Sequence, residues 1–228
     1  MTMKRHIDED LQGLREAILT MGALCEEMIH LAVKLLLEHD EALMAKVQAD
    51  EDRVNKLHIE IDERCLRTLA LHQPAAIDLR FVAAAIKINS DLERIGDQAV
   101  NIAETSLYLL KQPPMRLGDI PRMAELASHM LKDALDAFTR GDVELANEVI
   151  RRDDEEDRLK SQTFNTLVAL MQSDSSTIQR GMDHILISRN LERIADHATN
   201  VAEDVVFMVL GKDIRHGGGA FNKEESPA

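Results

Sequence analysis

The sequence contains little that would build a sheet protein or a membrane-embedded protein. None of its 228 residues is Trp, one is Tyr and five are Phe, so that aromatic residues make up only 3%. Aromatic and β-branched residues favour strands, whereas the abundant Ala, Leu, Met and Glu favour helices. No apolar run reaches the roughly 18 residues needed to cross a bilayer, and residues 1–10 lack the apolar stretch of a signal peptide. We therefore expect a helical, cytoplasmic protein without membrane insertion.

Cysteine and positive charge are also scarce. Cys25 and Cys65 are the two cysteines, which form no disulfide framework in a chain of this length and fit a reducing compartment. Asp and Glu number 41 against 27 Lys and Arg, giving a formal net charge of −14. Nucleic-acid binding needs a basic surface that neutralises phosphates, so we exclude nucleic acid as a partner. Such an acidic chain is suited to cations or basic partner proteins.

Apolar residues recur every three or four positions through most of the chain, which is typical of amphipathic helices. Breaks at residues 39–40, near 74, at 112–118, at 141–142 and at 173–177 divide the chain into six helices. Asp40 is expected to cap the second helix, Asp119 with Pro121 to begin the fourth, and Gly211 to end the sixth. The fold class is therefore all-α.

The six helices read as one three-helix unit present twice. Residues 91–104 (DLERIGDQAVNIAE) match residues 190–203 (NLERIADHATNVAE) at nine of fourteen positions. The earlier helices align at a shift of 102 residues, because one loop differs in length by three. A repeat of this kind predicts two tandem three-helix bundles related by a pseudo-twofold axis. Their expected bounds are 8–111 and 119–211, followed by a flexible tail at 212–228.

Each copy of the repeated segment carries a Glu-x-x-x-Asp pair, Glu93 with Asp97 and Glu192 with Asp196. Residues four apart lie on one face of a helix, and here that face is opposite the apolar one. Two like charges at this spacing repel by a few tenths of a kcal/mol. A solvated polar face is the ordinary explanation of one such pair, but the pair has survived in both copies. We therefore predict a cation-binding role.

The second helix of each unit adds a further pair at the same spacing. These residues are Glu51 and Asn55 in the first unit, and Asp153 and Asp157 in the second. Carboxylates suit hard or borderline cations such as magnesium, calcium, manganese and iron, and they tolerate zinc. Two helices that each bring two oxygen donors together are expected to hold one or more metal ions. The site in the first unit is expected to be weaker, because Asn55 replaces a carboxylate.

These motifs resemble the PhoU family of bacterial phosphate-signalling proteins. The paired signature of that family is similar to Leu92-Glu-Arg-Ile-Gly-Asp97 and Leu191-Glu-Arg-Ile-Ala-Asp196. Further similar segments, in the order of the family, are Met21-Gly22, Ile61-Asp-Glu-Arg-Cys65, His72-Gln-Pro74, Asp78-Leu-Arg80 and Gly211-Lys-Asp-Ile-Arg-His-Gly217. The resemblance thus covers nearly the whole chain.

The resemblance implies two three-helix bundles side by side, often in a homodimer, and no enzymatic activity. It implies multinuclear iron or zinc bound through the Glu/Asp-x-x-x-Asp pairs, with manganese or magnesium as further candidates. It also implies negative regulation of phosphate uptake and of the phosphate-starvation response. The expected partners are a phosphate-sensing histidine kinase and the ATPase subunit of the phosphate transporter.

Two other functions fit parts of the sequence. A ferritin-like dimetal enzyme needs two Glu-x-x-His motifs that project into a bundle core, and only Glu27-Met-Ile-His30 has this form, without a duplicate in the second unit. A helical adaptor that binds no metal is the other alternative. In that case the acidic stripes would be solvated or would face partner proteins.

Overall fold

The structure, a computed structural model, describes residues 6–116 and 118–215. This part of the chain contains six long α-helices and no strand, which confirms the all-α prediction. The helices are α1 His6–Glu38, α2 Leu43–His72, α3 Ile77–Leu110, α4 Ile120–Arg140, α5 Val143–Ser173 and α6 Ile178–Leu210, with a short 3-10 turn at Ser175–Thr177 before α6.

The start of α2 differs from the sequence-based expectation. Asp40 is not its N-cap; the cap position belongs to Ala42, and the helix begins at Leu43. The reason is local, because His39 adopts a left-handed φ of 60° that reverses the chain after α1. Asp40 then uses its Oδ1 to accept a hydrogen bond from the Ala42 amide at 3.0 Å, which closes a turn ahead of the helix.

Two other predicted helix ends are confirmed. Asp119 occupies the N-cap of α4 with Pro121 in the first turn, although its side chain makes no capping hydrogen bond. Gly211 is the C-cap of α6 with a φ of 70°, and its amide donates to the Phe207 carbonyl at 2.8 Å. A residue with a Cβ would be strained in that left-handed conformation.

The helices form two three-helix groups that share one core. Helices α1, α2 and α3 pack on one another, as do α4, α5 and α6, and the groups meet where α3 packs on α6 and α1 packs on α4. We call this interface the seam. Buried apolar residues from all six helices make one continuous cluster. The bounds 8–111 and 119–211 therefore remain a prediction about domain division, and residues 216–228 of the predicted tail lie outside the described residues.

Aromatic and small residues hold the α1–α4 side of the seam. The rings of Phe81 and Phe138 stack with centroids 5.8 Å apart. The Arg15 guanidinium lies 5.0 and 5.2 Å from these centroids and donates to the Phe138 carbonyl at 3.0 Å. Farther along α1, a Cβ on Gly22 would lie 2.5 Å from Leu135 Cδ1. Any larger residue at position 22 would force the Leu135 side chain of α4 to shift.

Polar contacts fix the register of α3 against α6. Asp91 Oδ1 is hydrogen-bonded to His197 Nδ1 at 2.8 Å and accepts from Asn200 Nδ2 at 3.2 Å. Lys87 Nζ donates to the buried Asp204 carboxylate at 3.1 Å. Both contacts join the two repeats beside the predicted metal-binding residues, so the acidic motifs are held in a fixed relation to each other.

None of the described helices is long and apolar enough to span a membrane.

Candidate functional site

The predicted residues of the first repeat lie on the facing helices α2 and α3. Glu93 and Asp97 are partly buried on α3, and Glu51 is partly buried on α2. Partial burial, and then the negative charges of Asp97 and other acids, raises the pKa of Glu51. The structure therefore brings Glu51 into the field of Asp97. Asn55 is exposed on α2.

The four predicted carboxylates of the second repeat repel one another across α5 and α6. We call Asp153, Asp157, Glu192 and Asp196 the second acidic cluster. Partial burial, followed by Glu192, Asp153 and Asp157, raises the pKa of Asp196 to about 6. Burial also raises the pKa of Asp153, an effect opposed by a hydrogen bond that its Oδ1 accepts from Thr199 Oγ1 at 3.3 Å. These residues form one electrostatic group.

A lysine that the sequence analysis missed lies within this group. The Lys160 ammonium donates to Asp157 Oδ1 at 2.8 Å and to Glu192 Oε1 in a shorter contact. Burial acts to lower the pKa of Lys160, but these two hydrogen bonds outweigh it and the pKa is raised. The ammonium thus holds a positive charge between carboxylates of α5 and α6. Its position three residues after Asp157 was the available signal.

A buried glutamate was also missed. Glu156 is only 1% exposed, and neither of its carboxylate oxygens has a hydrogen-bond partner within residues 6–116 and 118–215. Burial, followed by the charges of Glu192, Glu155, Asp153 and Asp157, raises the pKa of Glu156 to about 8. The sequence contained a signal, because a shift of 102 residues places Glu156 on Val54, which is a core residue of the first repeat.

Residues of both repeats line one open cleft along the seam. Its volume is about 860 Å³. Its acidic walls include Glu93 and Asp97 of α3, Asp153 of α5, and Asp196 and Glu203 of α6. Arginines from both repeats lie beside them: Arg94, Arg193 and Arg215. The cleft therefore brings together four of the predicted site residues, Glu93, Asp97, Asp153 and Asp196. The other four, Glu51, Asn55, Asp157 and Glu192, are not among its lining residues.

The side chains of the candidate site offer mainly oxygen atoms as metal ligands. Within residues 6–116 and 118–215, no three His, Cys, Asp or Glu side chains are placed so that they could hold a metal ion as they stand. Metal entry therefore requires side-chain movement. Both cysteines are buried, and burial raises the pKa of Cys65 to about 12. His197 is engaged by Asp91 in the seam. Carboxylates remain as the candidate ligands, which favours hard or borderline cations.

A family model described as the PhoU domain matches residues 18–106 and 120–205, one match for each repeat. The chain belongs to the PhoU family. It is 37% identical over 225 residues to the phosphate-specific transport system accessory protein PhoU homolog of Pseudomonas aeruginosa, covering 98% of this chain and 93% of that protein. It is 33% identical over 226 residues to the PhoU of Escherichia coli, covering 96% and 93% of the two chains.

Solved PhoU structures have the same fold. The crystal structure of PhoU from Pseudomonas aeruginosa superposes with a TM-score of 0.88 at 36% identity, over 90% of this chain and 100% of that one. The crystal structure of the phosphate transport system regulatory protein PhoU from Streptococcus pneumoniae superposes with a TM-score of 0.85 at 28% identity, over 92% of this chain and 99% of that one. The predicted PhoU fold of two tandem helical bundles is thus confirmed.

The PhoU relatives carry the names of accessory and regulatory proteins and not of enzymes, which confirms the prediction that this chain is not an enzyme. The ferritin-like alternative is wrong for a geometric reason as well. Glu27 and His30 are both exposed on α1, whereas a dimetal oxidase holds such residues inside the bundle.

Proposed function

We propose that the protein is a negative regulator of phosphate uptake and of the phosphate-starvation response. It acts in the cytoplasm as a metal-binding adaptor between the phosphate transporter, through its ATPase subunit, and a phosphate-sensing histidine kinase. Membership of the PhoU family supports this proposal most directly, since relatives of nearly the same length are named for the phosphate-specific transport system. The PhoU relationship also favours a homodimer.

The acidic residues on α2, α3, α5 and α6 would hold the metal. In the second repeat these are Asp153, Asp157, Glu192 and Asp196, and the orphaned oxygens of the neighbouring Glu156 indicate that a cation fits there. A bound iron or zinc ion, or manganese or magnesium, would neutralise the mutual repulsion that raises the pKa of Asp196. The protein contributes the positions of the carboxylates, which the seam holds in place.

The first repeat would hold a cation less tightly. Glu93, Asp97 and Glu51 supply carboxylates, but Asn55 supplies a neutral amide and is exposed. Fewer anionic ligands give a lower affinity for a divalent cation.

The shared cleft connects metal loading to docking. Because acids of both repeats line it beside three arginines, occupation by cations would change the sign of a large part of this surface. Basic segments of a partner would then be attracted less and acidic segments more. Regulation would operate through the charge of the docking face.

A metal-free adaptor is the second candidate, and one observation favours it. Lys160 already bridges Asp157 and Glu192, so that the second acidic cluster is partly neutralised by the protein's own side chain. In that case the remaining acids would bind basic patches on the partners directly.

Complementation tests the regulatory role. The protein would be expressed in a bacterium that lacks its own PhoU, with a starvation-responsive reporter and labelled phosphate uptake as the measurements. We expect repression of the reporter and reduced uptake in phosphate-rich medium. The variant with Glu192→Ala and Asp196→Ala should lose repression, whereas Asp154→Asn, an exposed neighbour on α5, should retain it. Failure of the parent to repress would refute the regulatory role.

Plasma mass spectrometry of tag-free protein tests the metal. The comparison is with a variant carrying alanine at 93, 97, 192 and 196. Stoichiometric metal in the parent and its loss from an equally helical variant would support the carboxylate sites. A metal-free parent after reconstitution would leave the metal-free adaptor as the better explanation.

A further inference from the structure

We propose that Glu156 is a ligand of the second repeat's cation site and that, after a movement of side chains, it binds a divalent cation together with Asp153 and Glu192. This residue lies outside the Glu/Asp-x-x-x-Asp spacing. The inference rests on the proposed metal-binding function, and it makes the two repeats unequal.

The first repeat shows what this position requires for packing. Val54 is 1% exposed, and a Cβ added to Gly96 of α3 would lie 3.4 Å from Val54 Cγ1 and 3.6 Å from Met28 Cε. The position thus faces the helix that carries the acidic motif, and an apolar side chain fills it. At the same position of the second repeat the chain places Glu156, also 1% exposed. Packing alone gives no reason for a carboxylate there.

Burial of this carboxylate without a partner is unfavourable. A buried polar group that lacks hydrogen bonds costs on the order of 1–3 kcal/mol, and a charged one costs more. Among the residues that the structure describes, neither Oε1 nor Oε2 of Glu156 has a hydrogen-bond partner. The nearby ammonium of Lys160 binds Asp157 and Glu192. Both oxygens of Glu156 therefore remain available to a cation.

The surroundings of Glu156 point into the acidic cluster. After burial, the group that raises the pKa of Glu156 most is Glu192 on the facing helix α6, and Asp153 and Asp157 contribute as well. Glu156 and Asp153 are three residues apart on α5 and therefore share one helix face. A cation between α5 and α6 would have carboxylates on both sides.

The donor set identifies the class of ligand. Asp153, Glu156 and Glu192 supply only carboxylate oxygens, which favours a hard or borderline divalent cation such as Mn²⁺. Desolvation strengthens the attraction between a buried carboxylate and a cation. At the corresponding positions the first repeat has Glu51, Val54 and Glu93, and so offers one carboxylate fewer. The second site is therefore the tighter of the two.

A protonated core glutamate is the competing explanation, and it predicts no effect on cation binding. Two substitutions separate the explanations. Glu156→Val installs the residue that the first repeat uses at this position, and Glu156→Gln keeps the shape while removing the charge. Asp154→Asn is the matched control, because it removes a charge from the same helix at an exposed position.

The experiment is a Mn²⁺ titration of chelator-treated, full-length protein, with free Mn²⁺ measured by electron paramagnetic resonance and helicity by circular dichroism. We expect a tight and a weaker class of sites in the parent. Both Glu156 variants should lose about tenfold or more in affinity of the tight class, as do other disrupted metal sites, while the weaker class is unchanged. Asp154→Asn should stay within about twofold, since an exposed charge is well screened.

Three outcomes would overturn the inference. If Glu156→Gln binds Mn²⁺ as tightly as the parent, Glu156 is a neutral core residue and not a ligand, and the proposed metal site remains without it. If Asp154→Asn loses as much Mn²⁺ affinity as the Glu156 variants, the loss reflects the removal of any nearby negative charge and not of a ligand. A parent that binds no Mn²⁺ would overturn both the ligand role and the metal-binding part of the proposed function.

Discussion

If the proposed cation site lies between α5 and α6, the Lys160 ammonium competes with the cation for carboxylates of these helices, so removing it should improve cation binding. In the structure the ammonium binds Asp157 and Glu192. A divalent cation must displace it from at least one of these carboxylates. The substitution Lys160→Met removes the competitor and keeps an unbranched side chain of similar length.

The size of the effect follows from the exposure of the two partners. The Asp157 side chain is 60% exposed, so its ion pair contributes about 0.5 kcal/mol. The Glu192 side chain is 17% exposed, and a charge-assisted hydrogen bond in such a setting contributes about 1–1.5 kcal/mol. The metal-free protein should therefore lose about 1.5–2 kcal/mol of unfolding free energy. The affinity of the second site for a divalent cation should rise by roughly 5–30-fold, the lower value applying if the ammonium is displaced from Glu192 alone.

Mn²⁺ titration and urea denaturation of chelator-treated protein measure the two quantities. Arg158→Met is the matched control: it removes one positive charge from an exposed position of α5, and only a small change is expected. An affinity that falls in Lys160→Met would refute the reasoning, because it would mean that the ammonium organises the carboxylates for the metal. An unchanged affinity with reduced stability would show that the cation binds elsewhere.

Three further predictions concern stability. Gly22→Ala should lower the free energy of unfolding, measured by urea denaturation, by about 1–2 kcal/mol, because the new methyl group overlaps a leucine of α4. The control is Gly13→Ala in the same helix, where the added Cβ makes only an ordinary van der Waals contact; this variant should be neutral or slightly stabilising. Lys87→Met should cost about 2–4 kcal/mol by leaving the Asp204 side chain, 2% exposed, without its closest cation, and adding Asp204→Asn should recover part of that loss. The pKa of Glu156 is raised in the folded protein to about 8 from its ordinary value of 4.5, so chelator-treated protein should lose unfolding free energy as pH rises from 5 to 8, by up to roughly 1 kcal/mol per pH unit. Glu156→Gln should remove most of this pH dependence. A variant with the same pH dependence as the parent would contradict the assignment.

The sequence predicted the helices and the repeat because both depend on local signals. Apolar periodicity located all six helices, and the match between residues 91–104 and 190–203 revealed the duplication. The error at Asp40 arose from the backbone. A left-handed residue such as His39 reverses the chain without a strong sequence signature, and the acidic side chain then serves the turn instead of the helix.

The candidate site was only partly predictable. Spacing along one helix reveals which residues share a face, so Glu192 and Asp196 were found. It does not reveal what faces them from another helix. Lys160 was missed for this reason, because its contact with Glu192 crosses from α5 to α6. Glu156 was missed because it lies outside the Glu/Asp-x-x-x-Asp spacing, and its signal is a difference between the repeats: a core valine of the first repeat, Val54, is a glutamate in the second.

The continuous core has a consequence for any attempt to use one repeat as an independent module. A chain that ended after α3 would expose the side of α3 that packs on α6 and the side of α1 that packs on α4, including Phe81 and the surface beside Gly22. Such a fragment would most readily cover those surfaces with a second copy of itself, since the missing partner has nearly the same shape. In the intact chain the two repeats instead cover each other's surfaces, and because they are joined in one chain they can differ in sequence, as they do at Glu156 and Val54.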